Sequence, residues 1–276
     1  MDKTKVLFIT QAIDPFMEGR SFAELVKKLA HGTQESGKEI RVFMPRFGVI
    51  NERRHQLHEV IRLSGMNLII NDSDHPLIIK VASIPQARMQ VYFIDNDEFF
   101  KRKEIFHDRE TEEWCGDNAD RALFFSRGVL ETVKKLGWTP DLIHCNGWMT
   151  GFTPLYLRTM YAQDPHFNNA KVVYSSYNSN IDEKLDDSII SRLAFDDISE
   201  DTAALVKEGT VLNLNKLGME HSDAIGFGAE EMNEEIIEFA NKSKKPTLAY
   251  QTEETLVEKH QEFYNEVLEL NEVMAD

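Results

Sequence analysis

Two hydrophobic periods alternate along this chain. Residues 5–10 form a short apolar, β-branched run, and residues 21–34 follow with Phe22, Leu25, Val26 and Leu29 at helical spacing ahead of Gly37. A second apolar run at 40–44 stops at Pro45. Strand, helix and strand in this order make a βαβ unit, the usual opening of a doubly wound parallel sheet.

Between residues 59 and 95 the period shortens. Apolar runs at 60–63, 68–70, 77–81 and 91–94 are separated by turn formers such as Asn71, Asp72, Ser73 and Asp74, and predict β-hairpins inserted into the α/β framework. Residues 118–136 predict a long amphipathic helix closed by Gly137 and followed by Pro140, with a strand at 141–145. Helix and strand then alternate: helices at 151–161, 211–221 and 231–241, strands at 171–175, 223–227 and 247–250, and an acidic terminal helix over about 253–273. No internal repeat or low-complexity linker interrupts the series, so 1–276 reads as one domain.

Charge narrows the partners. Forty-seven Asp and Glu against 31 Lys and Arg give a formal charge of −16, which repels nucleic acid and anionic membrane alike. No apolar stretch approaches the roughly 18 residues of a membrane span, and Met1, Asp2 and Lys3 lead into a strand rather than a signal peptide. A soluble, cytoplasmic protein is expected, with Cys115 and Cys145 as reduced thiols. His55 and His58 stand three apart without companions arranged as a ligand set, so no metal site is expected.

Three segments line up in order with one family: residues 6–10 with Pro15, Phe16 and 41–46; residues 91–96 with Phe99 and Phe100; and Asp117 and Asn118 through 136–144. Over about residues 5–178 the chain resembles the N-terminal catalytic domain of bacterial glycogen synthases and plant starch synthases. The resemblance implies a doubly wound Rossmann-like parallel sheet, one half of a GT-B fold. In that family two such domains close over a cleft, and glucose passes from ADP-glucose or UDP-glucose to an α-1,4-glucan with retention, in glycogen biosynthesis and without a cofactor. The resemblance makes this chain the acceptor-side half, with the donor-binding domain not among its 276 residues.

The family's cleft motifs are altered. Its Lys-x-Gly-Gly-Leu loop, in which glycines admit the donor phosphates and the lysine neutralises them, aligns with Glu18, Gly19, Arg20, Ser21 and Phe22. Glu18 would repel a diphosphate, and side chains at Arg20 and Ser21 obstruct its approach; Arg20 is the one replacement positive charge. The family's His-Asp-Trp-His-Thr aligns with Asn146, Gly147, Trp148, Met149 and Thr150, so Asn146 replaces the cleft histidine and can hydrogen-bond a hydroxyl but not exchange a proton. Its Thr-Ile-His-Asn aligns with Ser175, Ser176, Tyr177 and Asn178. The helix-opening Asp117 and Asn118, with Arg121, are kept. In the family this aspartate lies near the sugar; it reads equally as a helix cap with Arg121 as its i, i+4 partner. Gly226 and Gly228 faintly suggest a phosphate turn, opposed by Glu230 and Glu231.

The ligand-binding candidates are therefore Phe16, Arg20, Asp117, Asn118, Arg121, Trp148 and Asn178, with no catalytic residue assigned. Three functional expectations follow. The first is a glycogen-synthase-like domain that keeps a glucan or nucleotide-sugar surface but does not transfer glucose unaided. The second is an active subunit completed by a separate synthase domain or a homodimer, which requires an exposed apolar docking face. The third is an interaction protein without a sugar ligand, whose terminal helix packs Leu256, Val257, Phe263, Val267 and Leu270 onto the sheet.

Overall fold

Side chains that are apolar on both faces place the first strand in the middle of a sheet rather than at its edge. In β1 (Lys5–Thr10) every residue after Lys5 is buried. The structure is a computed structural model describing residues 3–19, 21–186 and 188–270. In chain order the elements after β1 are α1 (Ser21–Glu35), β2 (Glu39–Pro45), α2 (Glu52–His55), β3 (His58–Glu59), β4 (Met66–Ile70), β5 (Ser73–Ile84), β6 (Met89–Asp95) and α3 (Asp97–Phe100). There follow α4 (Asn118–Leu136), β7 (Leu142–Asn146), α5 (Phe152–Arg158), β8 (Lys171–Ser176), α6 (Ile189–Ala194), α7 (Val211–Glu220), β9 (Ala224–Phe227), α8 (Glu234–Ser243), β10 (Thr247–Leu248) and α9 (Leu256–Glu269).

The strands form one sheet in the order β10-β9-β8-β7-β1-β2-β6-β5-β3, with β4 paired to β5. From β10 to β6 all pairs are parallel; β5 joins β6 and β3 antiparallel. The chain runs outward from β1 through β2 to β6 and later returns to β7 on the other side of β1. The sheet is thus doubly wound, and its order reverses between β1 and β7. Alternate residues of β7 identify the covering layers. His144 meets Tyr264 of α9 at 2.7 Å, whereas its neighbour Cys145 bonds Thr153 of α5. One face therefore carries α1 and α9, which pack together, and the other α4, α5 and α7.

The expected hairpin is present with its turn. Asn71 and Asp72, both at positive φ, form the two-residue loop between the paired Ile70 and Ser73. One expected strand is not: residues 60–63 form a turn, because the amides of Leu63 and Ser64 both bond the Val60 carbonyl; His58 and Glu59 ahead of it pair with β5, and the Val60 amide adds one bond to the Ile79 carbonyl. The helix expected at 151–161 shortens to α5, the one at 231–241 shifts to α8 behind the Asn233 cap, and the strand at 247–250 shortens to β10. The terminal helix begins at Leu256, and its expected end at 273 lies outside the described residues.

That helix lies back on the sheet as its apolar pattern required. Leu256, Phe263 and Val267 are buried, Leu270 packs against the core, and Val257 stands where a side chain on Gly32 of α1 would be. The terminal carbonyls of α7 find a separate partner. Lys245 donates to the carbonyls of Met219, Glu220 and Ser222, with 2.8 Å to the first. Lys245→Met is expected to cost about 1–2 kcal/mol, from the Glu220 and Ser222 carbonyls losing their ammonium donor while the Met219 carbonyl keeps the Ser222 hydroxyl. Urea unfolding measures it, and an unchanged midpoint would show that water replaces the ammonium.

Candidate functional site

In an open parallel sheet the ligand crevice lies beyond the carboxyl ends of the strands where the order reverses, here beyond Thr10 and Asn146. The reversal point itself is filled by protein side chains. Gln11 Oε1 accepts from the Met149 amide at 3.3 Å and lies 2.5 Å from where a Cβ on Gly147 would stand. Asn146 is fully buried. Its amide group donates to the His144 carbonyl at 3.0 Å, and its Oδ1 accepts from the Tyr177 hydroxyl at 3.3 Å. Tyr177 is held edge-on by Phe22, with centroids 4.3 Å apart, and its ring occupies the space a side chain on Gly228 would need. Asn146 therefore does not reach a sugar as the sequence allowed, because Tyr177 and its own strand consume its hydrogen bonds.

The same burial corrects two other candidates. Trp148 is 1% exposed, in an aromatic cluster with Phe106 at 4.9 Å and Trp114 at 5.4 Å. Phe16 is 5% exposed, edge-on to Phe93 and His55. Trp148 is core; Phe16 is mostly buried but keeps an edge in the wall of the cavity beside Glu18 and Arg54. Gly226 and Gly228 are likewise required by packing, against Ser175 and Tyr177, rather than by a phosphate.

The loop after β1 keeps no free acid. Glu18 is paired with Arg54 at 2.6 Å. These two line a cavity of about 280 Å³ with Met17, Asn51 and His55. Arg20 lies outside the described residues. Asn178 Oδ1 accepts from the Asn233 amide at the start of α8, which ties the β8 loop to that helix.

At the head of α4 the three retained polar residues divide their work. Asp117 makes no cap hydrogen bond and does not pair with Arg121; its carboxylate meets the Arg102 guanidinium. Arg121 points instead into the core, fully buried, where it donates to the carbonyls of Ile105 and Glu104 and to Asn118 Oδ1. Its guanidinium stacks on Phe47 and Phe100, each at 5.3 Å. Desolvation lowers its pKa to about 10, so it stays charged at neutral pH. Asn118 donates to the Phe106 carbonyl at 2.9 Å. Asn118 and Arg121 are thus buried supports of the loop at 101–112.

That loop forms the open part of the cleft. Lys103, His107 and Arg109 line a cavity of about 330 Å³ with Gln11, Ser179 and Asn180, and Phe106 in its wall. His107 is held by Glu183 at 2.9 Å, and Ser179 Oγ is buried without a hydrogen-bond partner. Charged and hydroxyl-binding groups meet here, with the His107–Glu183 imidazole–carboxylate pair at one side.

A model of the starch synthase catalytic domain matches residues 5–249. This chain belongs to that family. The match runs well past residue 178, where the resemblance visible in the sequence fades. Among relatives, the glycogen synthase of Chlorobium limicola is 33% identical over 233 residues, covering 84% of this chain and 47% of that protein. The glycogen synthase of Chlorobium chlorochromatii is 38% identical over 176 residues, 64% of this chain and 36% of that protein. The chain thus spans about half the length of the curated relatives it matches. The catalytic domain of starch synthase IV from Arabidopsis thaliana, solved with ADP and acarbose, superposes with a TM-score of 0.74 over 91% of this chain and 52% of that one, at 17% identity. It shares the fold.

Of the residues that line this cavity, the sequence reading did not single out Gln11, Lys103, His107, Arg109, Ser179 and Asn180. The signal was positional: Gln11 follows directly on β1 and Ser179 lies three residues beyond β8, strands whose carboxyl ends border the cleft. The 101–112 loop carried no such signal, since its place depends on the buried Arg121.

Proposed function

We propose that this glycogen/starch synthase-like domain is a glucan-binding unit that does not transfer glucose by itself. The observation that carries the reading is the filled reversal point: Gln11 and Tyr177 occupy the space over β1 and β7, and the buried Asn146 stands where the family has a histidine. Retaining transfer needs a nucleotide diphosphate held beside the reacting sugar, with its charge neutralised. The β1 loop offers instead a carboxylate at Glu18, its charge already answered by Arg54.

The cavity at 103–109 remains open and suits a sugar. His107, Asn180, Gln11 and the unpartnered Ser179 hydroxyl offer donors and acceptors for hydroxyl groups, and residues 1–276 act in this reading as one folding unit. Asp117 contributes by fixing Arg102, next to Lys103 on the same loop. Completion by a second chain has less support. The exposed large apolar side chains among the described residues are Ile61, Ile69, Met160, Phe195 and Ile237, none on a segment lining the cleft.

The test is a titration with ADP-glucose, UDP-glucose and a maltooligosaccharide, with glucose incorporation assayed in the same samples. Oligosaccharide binding without turnover is expected, weakened several-fold in Asp117→Ala. Measurable glucosyl transfer by the chain alone would overturn the proposal. Binding of none of the three would favour an interaction protein, a reading supported by the way α9 covers the sheet.

A further inference from the structure

At the opposite end of the sheet from the cleft, the amino-terminal ends of β2 and β6 frame a cavity of about 410 Å³. Four cationic side chains, Lys3, Lys38, Arg41 and Arg88, line it against a single carboxylate, Glu39. Glu39 is turned to other use, accepting from the Trp138 indole N–H at 2.6 Å. None of the four cations has an ion-pair partner among the described residues. In a chain of net charge −16 this is a local reversal of sign.

Two of the cations, Arg41 and Lys38, are held in place by side-chain contacts. Arg41 Nη1 donates to the Tyr92 hydroxyl at 2.6 Å, and its guanidinium stacks on Trp138 at 5.2 Å and Tyr92 at 5.7 Å, leaving a buried Nε without a partner. Lys38 Nζ is held by the neutral Gln261 of α9 at 2.7 Å. Arg88 sits in a left-handed turn at φ 48°, its carbonyl accepting from Gln34 of α1 at 3.4 Å. Stacking holds Arg41 and an amide contact holds Lys38, neither neutralising the charge. Gathered like charges repel, and a multiply charged anion entering between them removes that repulsion.

We propose that this cavity binds a small phosphate-bearing metabolite at a site separate from the cleft. Two arginines suit phosphate, whose oxygens accept paired N–H bonds from the guanidinium fork, and four charges match a dianion or diphosphate better than a carboxylate. Its volume falls in the usual range of small-molecule sites, roughly 300–1,000 Å³. Ile40, Met89 and Tyr92 supply an apolar wall for the rest of the ligand, a sugar or a base. A concave site of this size on an acidic protein excludes a nucleic-acid strand or a membrane surface as the occupant.

The experiment titrates the full chain with pyrophosphate, glucose 1-phosphate and AMP, by calorimetry at low and high salt. One-to-one saturable binding of at least one probe is expected, weaker at high salt. Equal binding of pyrophosphate and the esters would show recognition of phosphate alone, and preference for an ester would add the apolar wall. The exposed Arg88→Gln, and separately Lys38→Gln, should weaken binding by about tenfold or more, the usual worth of a charged hydrogen bond. The paired cleft substitution Lys103→Gln with Arg109→Gln should leave it unchanged. Thermal melts of each variant separate loss of the site from loss of the fold. The proposal is overturned if no probe saturates at millimolar concentration, if Arg88→Gln and Lys38→Gln bind like the parent, or if only the cleft pair loses binding.

Discussion

Arg121→Met is expected to destabilise the domain by roughly 3 kcal/mol, although methionine nearly matches the side chain in bulk. The guanidinium serves three acceptors: the part-buried carbonyls of Glu104 and Ile105 and the buried Oδ1 of Asn118. A buried acceptor left without its donor costs about 1–3 kcal/mol, and stacking on Phe47 and Phe100 is only partly replaced by a thioether. In a domain of this size that loss corresponds to a melting temperature lower by about 6–10 °C. The damage should be graded along the chain. The loop at 101–112, which Arg121 anchors, should lose hydrogen-exchange protection first, and any ligand in the cavity of Lys103, His107 and Arg109 should weaken with it. A variant that melts with the parent would mean that the loop is held by Asn118 alone.

Acid should unfold this protein earlier than its surface charges require. His144 and His260 lie together beneath α9, their rings 5.8 Å apart. His144 is engaged at both nitrogens, by the Tyr264 hydroxyl and by Ser175 Oγ, each at 2.7 Å. Desolvation drives its pKa well below the usual histidine value, with His260 adding repulsion. Desolvation also lowers His260, to about 4, against the bond from its ring to the Leu256 carbonyl. In the unfolded chain each histidine takes up a proton near pH 6.5, whereas in the folded protein neither does, so the unfolded state binds more protons as the pH falls. Stability is therefore unaffected by these groups above about pH 7 and is lost as the pH drops from 6.5 toward 4. At pH 5 His260 alone accounts for about 2 kcal/mol, and His144 acts in the same direction. Urea midpoints at pH 7 and pH 5 measure the loss. His260→Gln should reduce the difference between them by that amount, and an unchanged difference would place the acid sensitivity in the carboxylates.

Local pattern was sufficient wherever one stretch of chain decides its own conformation. The βαβ opening, the Asn71–Asp72 turn, the long α4 with its Gly137 cap and the apolar seam of α9 all rest on period, turn chemistry and capping, which neighbouring residues fix. The failure at 60–63 marks the limit of such reasoning. Its β-branched residues suit a strand, yet the chain must turn there to bring β4 back along β5, and the register of that hairpin overrides the local preference.

The candidate site was half visible for the same reason. Aligned motifs exposed the loss of charge at Glu18 and of a titratable group at Asn146, because each is a matter of residue type. They could not show that Arg54 answers Glu18 from α2, that Arg102 takes Asp117, or that Tyr177 covers Asn146. Residue identity, period and capping thus determined the doubly wound half-fold and the altered cleft chemistry. The tertiary structure alone decided which side chains face the cleft and which are buried, because hydrogen-bond partners and desolvation come from residues distant in sequence, here 31 positions from Asn146 to Tyr177 and 120 from His144 to Tyr264.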